Sequence, residues 1–229
     1  MTKDNIIHFG KSKKARVDAA AKSNVDIKVQ HGCIVPDSGH MIYKNDYFGF
    51  EIKVPDHWIT MEHNELVKIA QENFNKLNIP EVEKIKMLEA MTTTSLSLFS
   101  ATPFPKGTKE PYGKNQRLDN PTINCTAQKV TMYPNHTASD FMEGMMEHLK
   151  NGSMGIKYDE VSHVQPIIVS GKRFDSIEGK AFINGRKDIV QTQYYSILLK
   201  GYQLSIITTC ISEDGSEDLR KIVHNLKMD

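Results

Sequence analysis

The chain has 229 residues, of which 39% are hydrophobic and 25% charged, with a formal net charge of +1. That length allows one large domain or two small ones, and the composition is that of an ordinary globular protein. Near-neutrality excludes a whole-chain nucleic-acid binder, and no apolar run approaches the roughly 18 residues of a membrane-spanning helix.

The charge is unevenly spread. Residues 1–30 carry seven Lys/Arg against three Asp, a local +4 that leaves −3 for the rest of the chain. Residues 1–40 read as a basic N-terminal extension, with a short apolar patch at Asn5–Phe9, a basic alanine-rich stretch at Lys11–Lys22 and a loop at Pro36-Asp37-Ser38-Gly39. Such a tail either stays solvated or docks on an acidic partner or anionic surface. No apolar leader is visible at the N-terminus, which predicts a cytoplasmic chain, or a cell-envelope protein if the sequence has been trimmed.

A single α+β domain is expected over residues 41–229. Phe48, Phe50, Ile52 and Val54 alternate with Gly49, Glu51 and Lys53, the period of a half-buried strand, and Pro55 ends it. Trp58 follows as a lid on the core. Asn64 can cap a helix with Leu66, Ala70, Phe74 and Leu77 on its inner side. A second helix starts at Pro80 and turns Val82, Ile85 and Leu88 inward. Strand character returns at Ser95–Ala101. Pro103–Pro121, with four prolines and two glycines, reads as a long surface loop, and Ile123, Cys125 and Ala127 form the next strand.

Thr137 or Ser139 can cap a helix with Phe141, Met142, Met145, Met146 and Leu149 on one side, and Asn151-Gly152 ends it. The C-terminal third is a meander. Ile177–Ile183, Ile189–Leu199 and Tyr202–Cys210 are strands, turned at Asn184-Gly185 and Lys200-Gly201. Asp214 and Glu217 suggest a capping box for a last helix carrying Leu219, Ile222, Val223 and Leu226. Hairpins without βαβ repetition predict an antiparallel sheet flanked by helices. Phe50, Ile52, Trp58, Leu204, Ile206, Ile222 and Leu226 are expected in one core.

No phosphate loop, nucleophile elbow, zinc-protease or EF-hand pattern occurs, so no catalytic residue, metal site or cofactor is predicted. Cys33, Cys125 and Cys210 are too widely spaced for a zinc cluster, and an odd count suits reduced thiols. His57 and His63 are the closest histidine pair of the folded region, without a helical spacing to set them on one face. Glu143, Glu147 and His148 suit a solvated helix face.

The segment Tyr43–Trp58, with its Gly49-Phe50 strand and its proline and tryptophan at the turn, resembles the opening strand of the PsbP-like superfamily. The ending, from Gly201-Tyr202 through an acidic turn to a helix closing on Leu226, is similar too. That superfamily includes photosystem II extrinsic subunits, Mog-type Ran-binding proteins, bacterial lipoproteins and toxin chaperones. The resemblance implies an αβα sandwich that works by binding other proteins, and it transfers no functional residues.

The expected function is therefore a non-enzymatic intracellular module that binds a protein partner, as an adaptor or chaperone. The alternatives are a small hydrolase-type enzyme with a pocket under the 102–121 loop, or a trimmed cell-envelope protein. Contact is expected at the rim of that loop or on an exposed sheet face. Tyr194 and Tyr195 point to opposite faces of their strand, so one of them is a candidate partner-binding anchor unless a helix covers it.

Overall fold

The computed structural model describes residues 31–130, 135, 137–152, 156–183 and 188–229. The basic stretch 1–30 and the Asn184-Gly185 turn lie outside the described residues. Every strand pairing described is antiparallel. The small sheet has the order β1-β2-β3-β14, from Cys33–Asp37, His40–Asn45, Phe50–Pro55 and Lys227–Met228. The large sheet runs β10-β11-β12-β13-β8-β5-β4, with β9 also on β11. Its strands are Ile59–Glu62 (β4), Ser95–Thr102 (β5), Thr122–Lys129 (β8), Glu160–Val161 (β9), Gln165–Val169 (β10), Lys172–Ile183 (β11), Asp188–Leu199 (β12) and Tyr202–Cys210 (β13). A separate hairpin, Glu110–Tyr112 (β6) with Arg117–Asp119 (β7), lies inside the 103–121 segment.

Four helices are described: α1 (His63–Lys76), α2 (Glu81–Thr93), α3 (Ala138–Asn151) and α4 (Glu213–His224). The fold is thus α+β, antiparallel sheets flanked by helices, as expected from the hairpin-rich sequence.

The main core lies between the two sheets. Tyr43, Phe50, Ile52 and Val54 of the small sheet meet Leu96, Phe99, Ile123, Cys125, Leu204 and Ile206 of the large one. α4 closes that layer with Leu219, Ile222 and Val223, and Trp58 and Leu226 are buried in the same cluster. The seven residues expected to share one core all do so, because the apolar face of each strand sets its own orientation. A second cluster forms on the far face of the large sheet, where Met142 and Leu149 of α3 pack on Ile177, Ala181 and Tyr194. Helices therefore lie on both faces of that sheet.

Three local readings are corrected. The described ladder begins at Cys33, inside the stretch assigned to an extension, because Cys33–Asp37 pairs with His40–Lys44. The Ile34 N–H also donates to Glu62 Oε1 at 2.6 Å, so the outer edge of β1 is held against β4. The last helix is capped by Ser212, whose Oγ accepts the Gly215 N–H at 3.0 Å. Asp214 and Glu217 instead lie in the helix, and Glu217 pairs with Lys221 at 2.8 Å. The first helix is capped by Glu62 in a reciprocal box with Glu65, not by Asn64. The αL cap at Gly152 and the Thr137 cap of α3 stand as read.

Candidate functional site

The far face of the large sheet changes character from strand to strand. Over β11 and β12 it is apolar and carries α3. Over β13, β8 and β5 it is built of small polar side chains in register. Thr209 lies opposite Thr122, Ser205 opposite Thr126, which in turn faces Ser97, and Asn124 opposite Ser100, with Ile207 of β13 the one apolar side chain in these rows. α1 and α2 pack against β5 at the other side. These strands need one apolar face for the inter-sheet core, so the opposite alternation is left free to be polar.

At one end this polar floor becomes a cavity of about 320 Å³ beneath the 103–121 segment. Ser100, Thr102, Thr122, Asn124 and Thr209 line it from the sheet, and Lys106, Gly107, Thr108, Lys109 and Asn120 from the segment. The segment is not a free loop. Asn120 accepts from the Thr102 hydroxyl and from the Phe104 N–H, and donates to the Phe104 and Pro105 carbonyls at 3.3 and 3.2 Å. The β6–β7 hairpin is fastened to α4: the Tyr112 hydroxyl donates to Asp218 at 2.9 Å, and the Asn115 N–H to Asp214 at 3.0 Å. Arg117 reaches Asp188 of β12 at 3.2 Å. Burial, and then the hydrogen bond to Asp218, raises the Tyr112 pKa.

The structure places both tyrosine candidates in the interior. Tyr194 is 6% exposed under α3, and Tyr195 is 3% exposed between the sheets. They do point to opposite faces, but each face is covered, so neither is an exposed anchor. Burial raises the Tyr194 pKa and pushes Tyr195 up to about 12. Neighbouring Tyr158 lies across Gly179, and its Oη is 2.9 Å from Thr192 Oγ1.

His57 and His63 are not brought together. His63 stacks on His31, with ring centroids 3.5 Å apart, and its Nδ1–H donates to the Ser97 carbonyl at 2.8 Å. Cys125 is fully buried, and desolvation raises its thiol pKa; Cys210, also buried, is pushed up to about 12. Such thiols are poor nucleophiles. Among the described residues, no group of three or more His, Cys, Asp or Glu could hold a metal ion.

The α1–α2 hairpin is the other conspicuous surface. No residue of α2 is buried, and Val82 and Ile85, expected to face inward, are 63% and 55% exposed. Only the Lys84, Leu88 and Met91 side of α2 is half-buried, so the apolar positions outnumber those its packing can cover. Leu77 and Met87 are exposed as well. The cavity residues were beyond sequence reasoning, because Ser100 and Asn124 meet only through strand register.

No family model matches the chain, and no curated relative does. Among solved structures, the chain is similar to LpqN of Mycobacterium tuberculosis, described as involved in cell envelope biogenesis, at 11% identity and a TM-score of 0.41, over 89% of this chain and 94% of that one. It is also similar to cyanobacterial PsbP (CyanoP) from Synechocystis, at 12% identity and a TM-score of 0.45, over 85% and 95% of the two chains.

Proposed function

We propose that this chain is a non-enzymatic binding module of the adaptor or chaperone kind, which takes a protein partner on the α1–α2 hairpin. The observation that carries the reading is the exposure of Leu77, Val82, Ile85 and Met87 on a helical hairpin whose second helix has no fully buried residue. Large apolar side chains spent on solvent add nothing to the core and favour association, so their use is explained by a partner's apolar surface. α1 and α2 carry five glutamates and four lysines, so the hairpin offers no strong field for nucleic acid or an anionic membrane.

The test replaces Val82 and Ile85 together with Asp. A partner recovered with the wild-type chain is expected to be lost with the folded variant, and equal recovery would sink the reading. A reducing, cytoplasmic setting belongs to the same proposal. All three cysteines are free and Cys33 is exposed, which suits such a compartment. Recovery of the chain in the envelope fraction would count against that part. Among the described residues no helix is long and apolar enough to cross a membrane.

A further inference from the structure

The cavity beneath the β6–β7 hairpin holds polar groups that the fold itself does not use. Ser100 is only 4% exposed, yet its hydroxyl has no hydrogen-bond partner among the described residues. Asn124 is its direct cross-strand partner, and its amide is likewise unengaged. Ser100 and the half-buried Asn124 both open to the cavity, so this adjacent hydroxyl and amide are available to another molecule's polar atoms. Above them stand Lys106 and Lys109, both exposed and neither in an ion pair among the described residues.

The opposing charge is Asp119, which also lines the cavity. Its carboxylate already accepts from the Asn120, Ile211 and Ser212 N–H groups and from the Ser212 hydroxyl, at 2.6–3.0 Å. The Ile211 and Ser212 donors, at the N-terminal end of α4 where the helix dipole is positive, offset its charge locally. The two lysines then dominate the field at the mouth.

We propose that this cleft binds a small polar molecule bearing an anionic group, a phosphate or carboxylate. Lys106 and Lys109 meet the charge, and Ser100 and Asn124 hydrogen-bond the remainder. The volume is at the lower end of small-molecule pockets, which fits a metabolite and not a polymer.

The experiment is calorimetric titration of the full chain with inorganic phosphate and with citrate, against sodium chloride at matched ionic strength. Saturable binding of at least one probe is expected, and whichever binds more tightly separates the phosphate from the carboxylate class. The Lys106→Ala/Lys109→Ala double variant and, separately, Asn124→Leu are each expected to weaken it by about tenfold or more. Lys150→Ala, on the outer face of α3, is expected to leave it unchanged. The lysine variants alter exposed side chains, so they test the charge without disturbing the core. Responses no larger than those of sodium chloride, or binding of equal strength in the double variant, would overturn the proposal.

Discussion

Asp119 and Ser212, 93 positions apart, are joined twice: Asp119 Oδ2 accepts the Ser212 N–H at 2.8 Å and its hydroxyl at 2.6 Å. The same Ser212 Oγ caps α4 by accepting from Gly215. One buried carboxylate therefore holds the end of β7, the start of α4 and the wall of the cavity in a single arrangement.

Replacing Asp119 with Ala leaves several buried donors without an acceptor. The expected cost is about 3 kcal/mol, because interior donors deprived of a charged partner lose their compensation for desolvation. Urea unfolding measures it. A loss below about 1 kcal/mol would show that water replaces the carboxylate freely.

Gly179 and Tyr158 form a second constraint. A Cβ at residue 179 would come within 2.7 Å of the Tyr158 ring. Gly179→Ala is expected to destabilise by about 1–3 kcal/mol through overpacking. In a double-mutant cycle with Tyr158→Ala the penalty of the alanine is expected to shrink, since the clashing ring is gone; strict additivity would show that the strain lies elsewhere.

The stacked histidines predict acid sensitivity. Burial, and then the charge of neighbouring His63, lowers the His31 pKa from 6.5 to about 4, and burial lowers that of His63. The unfolded chain takes up these protons near pH 6.5, before the folded one does. The pair's contribution is thus complete above that value and is lost as pH falls toward about 4. The hydrogen bond from His63 to the Ser97 carbonyl acts in the opposite direction on His63, and burial outweighs it. His31→Phe keeps an aromatic ring and removes one titration. Its thermal midpoint is expected to fall less between pH 6.5 and pH 4 than that of the wild type, and parallel curves would rule the pair out as the cause.

Removing residues 1–38 strips β1 from β2, together with the Tyr43 hydroxyl's bond to the His31 carbonyl and the Ile34–Glu62 bond. The thermal midpoint is expected to drop by about 5–10 °C, the scale of a few kcal/mol in a domain of this size. An unchanged midpoint would mean that β1 adds nothing to the sheet.

Tyr194→Ala and Tyr195→Ala are expected to act on stability. Truncating a buried ring of this size costs about 3–5 kcal/mol. A folded Tyr194→Ala or Tyr195→Ala chain of wild-type stability would contradict the packing under α3 or between the sheets.

Periodicity alone was enough for the central elements. Phe50, Ile52 and Val54 lie on one side of β3, and Leu204 and Ile206 on one side of β13, since a strand with one buried face can hold only one register. The turn at Lys200-Gly201 was legible for a local reason: both residues have positive φ, 51° and 78°, and a two-residue hairpin needs that backbone. What lies over a face is not local. Tyr194 and Tyr195 read as one buried and one candidate anchor until α3 and the small sheet were seen to cover one face each. Val82 and Ile85 had the spacing of an inner stripe, but a helix faces whatever its neighbours leave room for, and α2 meets β5 on another side. A pocket under the 102–121 segment was anticipated, but the residues that line it were the least legible of all. Ser100 and Asn124 are ordinary polar positions of two strands, and only the pairing of β5 with β8 and the anchoring of the 103–121 segment on α4 bring them beneath Lys106 and Lys109.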